Sequence, residues 1–156
     1  NPGDASDINP LTGNKKMKQM DWENEFIEPL HGEFNELLNK KESNHSPIME
    51  IIQAISIAAF QSEISSVKRK LFVFSDMIQN TSEVSHYKGS LKFKEFSESP
   101  AYLKIRTDLQ GVFVKIFYMR RPGAAEIQKG NTHAQFWADY FNSMDATFDS
   151  IKFGEG

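Results

Sequence analysis

The sequence predicts an α/β domain, built as a three-layer, open, mostly parallel sheet with helices on both faces. Three observations carry that expectation. Two apolar runs, Leu71–Phe74 and Val112–Met119, have the Val, Ile and Phe content of strands. A cap-plus-proline helix start, Ser99-Pro100, lies between them, so strand, helix and strand follow as in a parallel crossover unit. Helical periodicities precede the first run and follow the second, giving the order αα-βα-βα-β.

Each element has its own warrant. Residues 1–18 are rich in Asn, Asp, Pro and Gly and lack an apolar period, so they read as an irregular arm ahead of a domain spanning 19–156. From Asp21, placed to cap a first turn, Trp22, Phe26, Leu30, Phe34, Leu37 and Leu38 recur at helical spacing. Pro29 lacks an N–H and should kink or split that helix. Ser46 reads as an N-cap with Pro47 at the first helical position. Ile48, Ile51, Ile52, Ile55 and Ala59 then form one face, which Ala54, Ile57, Ala58 and Phe60 widen as in a helix packed between layers.

Leu71–Phe74 is continuously apolar and stops at Ser75-Asp76, which predicts a strand buried on both faces. Ser99-Pro100 is followed by Leu103, Ile105 and Leu109 and then by Gly111 as a helix stop. Val112–Met119 is the stronger strand, closed by Arg120-Arg121-Pro122-Gly123. A last helix runs from about Glu126 to Met144 with Phe136, Trp137, Tyr140, Phe141 and Met144 buried, and Ile151–Phe153 forms a short terminal strand.

Composition bounds the chemistry. A chain of 156 residues with 39% hydrophobic residues and 13 Phe has enough apolar volume for one core. A net charge of −3 supplies no field that would draw in nucleic acid or an anionic membrane, and Lys68-Arg69-Lys70 and Arg120-Arg121 read as solvated strand ends without interleaved aromatics. The run Ile48–Phe60 is too short and too interrupted to span a membrane. With no Cys there is no disulfide, thiol nucleophile or Cys-ligated metal, and the compartment cannot be read from redox chemistry. Any targeting segment would lie upstream of Asn1.

The four histidines, His31, His45, His86 and His133, have no zinc-site spacing and read as surface or cap residues. No nucleophile elbow, dinucleotide fingerprint or phosphate loop is present, so the expectation is a binding protein and not an enzyme. Asp76 follows a buried strand, where ligands of open α/β sheets gather; it reads either as a site carboxylate or as a loop carboxylate capping Met77–Asn80. Ser46 begins a neighbouring helix. A carboxylate and a hydroxyl on one rim are hard oxygen ligands suited to Mg²⁺.

The strings His45-Ser46-Pro47-Ile48-Met49-Glu50-Ile51-Ile52, Leu71-Phe72-Val73-Phe74-Ser75-Asp76-Met77 and Gly111-Val112-Phe113-Val114-Lys115-Ile116 resemble the middle and end of a von Willebrand factor type A domain. Phe136–Phe141 and the opening Asn1-Pro2-Gly3 resemble features of bacterial relatives of that Rossmann-like fold. The resemblance implies a metal-ion-dependent adhesion site with Mg²⁺ or Mn²⁺ on Asp76 and Ser46, and a rim of Ser75, His45 and Asn80. A carboxylate of a protein partner would fill the open coordination position. The family's first-loop motif, Asp-x-Ser-x-Ser, is missing, which implies a chain that begins after the first strand of such a domain. The alternatives are a metal-free scaffold or interaction domain with a degenerate site, and an enzyme using Asp76 as acid or base.

Overall fold

Three strands form the sheet in the computed structural model, which describes residues 15–39, 45–60 and 69–155: β1 (Arg69–Ser75), β2 (Val112–Arg120) and β3 (Thr147–Glu155). Their order is β1-β2-β3 and both pairings are parallel. Leu71 faces Val114 and Val73 faces Ile116 across the first pair, and a bulge after Val114 shifts the register of the second. The terminal strand is longer than Ile151–Phe153 because the bulge lets Thr147 and Phe148 pair ahead of it.

Helices α3 (Ile48–Ile55), α4 (Phe93–Ser97), α5 (Pro100–Ile105) and α6 (Thr132–Asn142) accompany the sheet. Among the described residues they bury one of its faces. Val112, Val114, Ile116 and Tyr118 of β2 are at most 1% exposed and meet Ile52, Tyr102, Ile105, Phe136, Trp137 and Phe141 in one core. The alternate residues point the other way: Phe72 is 52% exposed, Phe74 70% and Phe113 45%. The expectation of a strand buried on both faces therefore does not hold for β1, and α3, α5 and α6 supply one helical layer. The reason is the strand order. Right-handed crossovers that always step in the same direction place every helix on the same side.

Within that core α6 is the aromatic centre. Trp137, Tyr140 and Phe141 are fully buried, and Phe141 stacks on Phe148 of β3. Each such side chain stabilises the fold by roughly 1.5–3 kcal/mol of burial. Helix α6 is shorter than the sequence suggests, starting at Thr132, because Pro122–Ala124 forms a 3₁₀ turn and Gly130 adopts φ +66°. Helix α5 starts as predicted, with the Tyr102 N–H donating to the Ser99 Oγ at 3.2 Å and Pro100 at the first position. Tyr102 and Ile105 are its buried residues, and Leu103 is exposed.

Helix α3 departs from expectation at its start. Ser46 forms an antiparallel bridge with Asn80, so Pro47 occupies the cap position and its side chain makes no cap. Ile48, Met49 and Ile52 are buried, whereas Ile51 and Ile55 are exposed, so one narrow stripe of the predicted wide face is used.

The chain divides into two units, Asn1–Ser43 and Asn44–Gly156. In the first, the helix starts at Lys15, ahead of the predicted cap Asp21, and α1 (Lys15–Trp22) and α2 (Glu28–Asn39) are joined by a π-helical turn, Glu23–Ile27. The Glu28 N–H reaches back five residues to the Glu23 carbonyl, so the turn widens just before Pro29, and the helical run continues through a residue that has no N–H to give. Of the predicted irregular arm over 1–18, residues 15–18 are helical and 1–14 lie outside the described residues, as do the side chains of Phe34, Leu37 and Leu38, and Lys68.

Candidate functional site

All three strands run the same way, so their carboxyl ends share one rim. Asp76 leaves β1 there and Arg121 leaves β2. Arg121 Nε lies 3.4 Å from Asp76 Oδ2, and the Arg121 guanidinium also donates to the Tyr87 hydroxyl. The other oxygen of Asp76 accepts the Ile78 N–H at 3.0 Å, which is the loop-capping role. Ser75 does the same one residue earlier, its Oγ accepting the Met77 N–H at 3.0 Å. These caps hold a tight bend in which Met77 adopts φ +58° with a fully buried side chain.

Gln128 ties the two strand ends together. Its amide donates at 3.0 Å to the carbonyls of both Asp76 and Met119, and its carbonyl accepts the Arg121 N–H at 2.8 Å. Beyond it, Arg120, Arg121 and Lys129 line an open depression of about 480 Å³ together with Gln128 and Pro122. Arg120 also rests over the Phe153 ring at 5.4 Å. The rim is thus locally basic on a chain whose net charge is negative.

Beneath the rim runs a buried polar chain. The Tyr118 hydroxyl meets His133 Nδ1 at 2.5 Å, and His133 Nε2 meets His86 Nδ1 at 2.8 Å. Trp137 donates to the Met77 carbonyl at 2.7 Å beside them. Burial pushes His86 down to about 3, helped by the neighbouring His133. Burial also lowers His133 to about 4, against the charge of Asp76 and a hydrogen bond to the Met77 backbone. Tyr118 is pushed up to about 12, chiefly by burial. The expectation that all four histidines are surface or cap residues is wrong for these two: His133 is 1% exposed and His86 7%. Helical spacing of His133 with Phe136 and Trp137 on the buried face of α6 was the signal for one of them.

The remaining predicted residues are arranged by backbone. The Ser46 N–H donates to the Asn80 carbonyl at 2.8 Å and the Asn80 N–H to the Ser46 carbonyl at 2.9 Å, which carries Ser46 onto the loop that follows Asp76. The Asn80 side-chain carbonyl accepts the Ser85 hydroxyl at 2.7 Å. His45 is exposed.

This donor set does not fit the divalent cation that the resemblance implies. Mg²⁺ requires near-octahedral oxygen ligation. Here the single carboxylate is committed to an amide and to a guanidinium, whose charge repels a cation. Among the described residues no three His, Asp or Glu side chains converge. Arg120 and Arg121, exposed at the end of β2 as expected of solvated strand ends, are the rim's cations. Their place directly after a strand marked them by the same rule that singled out Asp76. Compared with protein-family models, with curated proteins and with solved structures, the chain matches none.

Proposed function

We propose that this chain is a protein-binding module that seats a carboxylate of its partner on the basic rim, without a bound metal and without chemistry. The observation that supports it is the convergence of Arg120, Arg121 and Lys129 on one open depression beyond the carboxyl end of β2. A guanidinium offers a carboxylate a bidentate fork. Gln128, itself buried and fully hydrogen-bonded, holds the Arg121 backbone while Asp76 orients the side chain. This reading keeps the partner carboxylate implied by the resemblance to type A domains and transfers its recognition from a metal to arginine. It assigns no acid or base role to Asp76.

A glutamate-rich peptide added to the isotopically labelled chain tests it. Shifts concentrated on Arg120, Arg121 and Lys129, weakened at least tenfold in affinity by Arg121→Gln and by raised salt, are the expected result. Binding unaffected by Arg121→Gln removes the rim from the interface. Binding that appears only with Mg²⁺ or Mn²⁺ and disappears in Asp76→Ala favours the metal-dependent reading instead.

A further inference from the structure

The buried chain Tyr118–His133–His86 has a direction that its hydrogen bonds impose. The Gln79 N–H, which can only donate, points at His86 Nδ1 at 3.3 Å. That nitrogen is therefore an acceptor, and the proton of a neutral His86 sits on Nε2, which is buried and has no partner. His133 Nε2 lies 2.8 Å from that acceptor and 3.3 Å from the Trp137 indole nitrogen; with the indole proton given to the Met77 carbonyl at 2.7 Å, His133 donates from Nε2 to His86 and accepts at Nδ1 from the Tyr118 hydroxyl. Every link is satisfied only while both imidazoles are neutral. A proton added to His86 Nδ1 would face two donors, the Gln79 N–H and His133 Nε2–H.

This chain joins the segment 77–87 to the helical layer. His86 belongs to the segment, while His133 and Trp137 belong to α6 and Tyr118 to β2. The His86 ring packs edge-on against Phe136 and Trp137, with centroids 4.9 and 5.6 Å apart, leaving little room to turn away. Of the surrounding charges, Asp76 favours a cation on His133, but the two acidic groups nearby are already engaged. Asp76 at the end of β1 is paired with Arg121, Glu50 of α3 is hydrogen-bonded to Gln79, and Arg120 at the end of β2 adds positive charge. Gln128 of the β2–α6 connection is neutral.

We propose that Tyr118, His133 and His86 form an acid-sensitive latch that holds the segment 77–87 against α6 and β2 and releases it when the imidazoles take up protons. Both histidines lie well below their ordinary value of 6.5 in the closed state. The sign follows. A depressed imidazole stabilises the closed form above pH 6.5, and that stabilisation is lost as pH falls through the range from 6.5 toward 4. The latch acts independently of whatever the rim binds.

Amide hydrogen exchange on the full chain at pH 7 and pH 5, corrected for intrinsic rates, tests this. Protection of the Gln79 and His86 amides should fall roughly 20-fold for each imidazole that titrates, while remaining below that of Ile116 in β2. The variant His86→Phe keeps a ring against Phe136 and Trp137 and should lose one such factor. An equal fall in wild type and variant overturns the proposal, as does protection of Gln79 and His86 that coincides with Ile116 at pH 5, since that is global unfolding. Should the variant fail to fold, imidazole resonances of the wild-type chain decide: two rings must stay neutral at pH 5, and four rings titrating near 6.5 overturn the latch.

Discussion

The side-chain carbonyl of Gln79 accepts the Met49 N–H at 3.0 Å, so the first turn of α3 is capped by a residue thirty positions away. The amide of the same buried side chain donates to Glu50 Oε2 at 2.8 Å. Replacing Gln79 by Leu leaves a buried N–H unpaired and should cost about 1–3 kcal/mol in urea unfolding. Ser46→Ala should stay within about 0.5 kcal/mol, because the Ser46 contacts are made by its backbone. A loss near 1 kcal/mol for Ser46→Ala would restore it as the N-cap.

Gln128 presents the same physics at the rim. Three of its hydrogen bonds end on the backbone of the two strand ends, and the residue is 6% exposed. Gln128→Leu keeps the volume and removes the bonds, so we expect a loss of at least about 2 kcal/mol. The Arg121 amide should lose its protection against exchange at the same time. A stable variant with an unmoved Arg121 amide would show that the strand ends hold themselves.

Phe74 and Phe141 separate the two faces of the sheet energetically. Phe74 is 70% exposed and stacks on Phe117 at 4.3 Å, so Phe74→Ala should cost no more than about 1.5 kcal/mol, the worth of an aromatic pair. Phe141 is fully buried, and Phe141→Ala should cost about 3–5 kcal/mol. Equal denaturation midpoints for the two variants would contradict the one-sided core.

Alkali should weaken the fold through its buried phenols. Tyr118 is raised from 10.0 to about 12 and Tyr140 is raised further, in both cases mainly by burial. Their stabilisation is complete below pH 10 and is lost as pH rises toward 12, because the unfolded chain ionises first. Unfolding midpoints at pH 9 and pH 11 should therefore differ in the wild type, and the difference should shrink in Tyr118→Phe. No change between the two pH values would place the phenols in water.

Elements were legible where local chemistry and tertiary packing agree. The β-branched and aromatic run before Arg120 became β2, and the Ser99-Pro100 start of α5 folds as the two residues dictate. The arrangement failed where packing overrode local preference. Ser46 has the chemistry of a cap, yet Asn80 recruits its backbone and Gln79 takes over the cap. Leu71–Phe74 looks buried on both sides because hydrophobicity does not encode direction. The alternation that exposes Phe72 and Phe74 comes from the pleat together with the side on which the helices fall. At the rim, the position of Asp76 was readable from the end of its strand. Its pairing with Arg121 was not, since β1 and β2 meet only after the crossover between them has folded.

By itself the sequence determined an α/β chain with parallel strands, one aromatic helix in the core, no thiol chemistry and a carboxylate at the strand rim. These follow from periodicity, composition and caps, which act over a few residues. The tertiary structure alone decided that Asp76 faces a guanidinium, that His86 and His133 are buried in one hydrogen-bonded chain with Tyr118, and that helices α3, α5 and α6 pack on one side of the sheet. Those outcomes depend on strand order and on burial. Both arise when segments distant in sequence exclude water together, and that long-range desolvation turns ordinary surface-type residues, two histidines and a glutamine, into fixed supports beneath the rim.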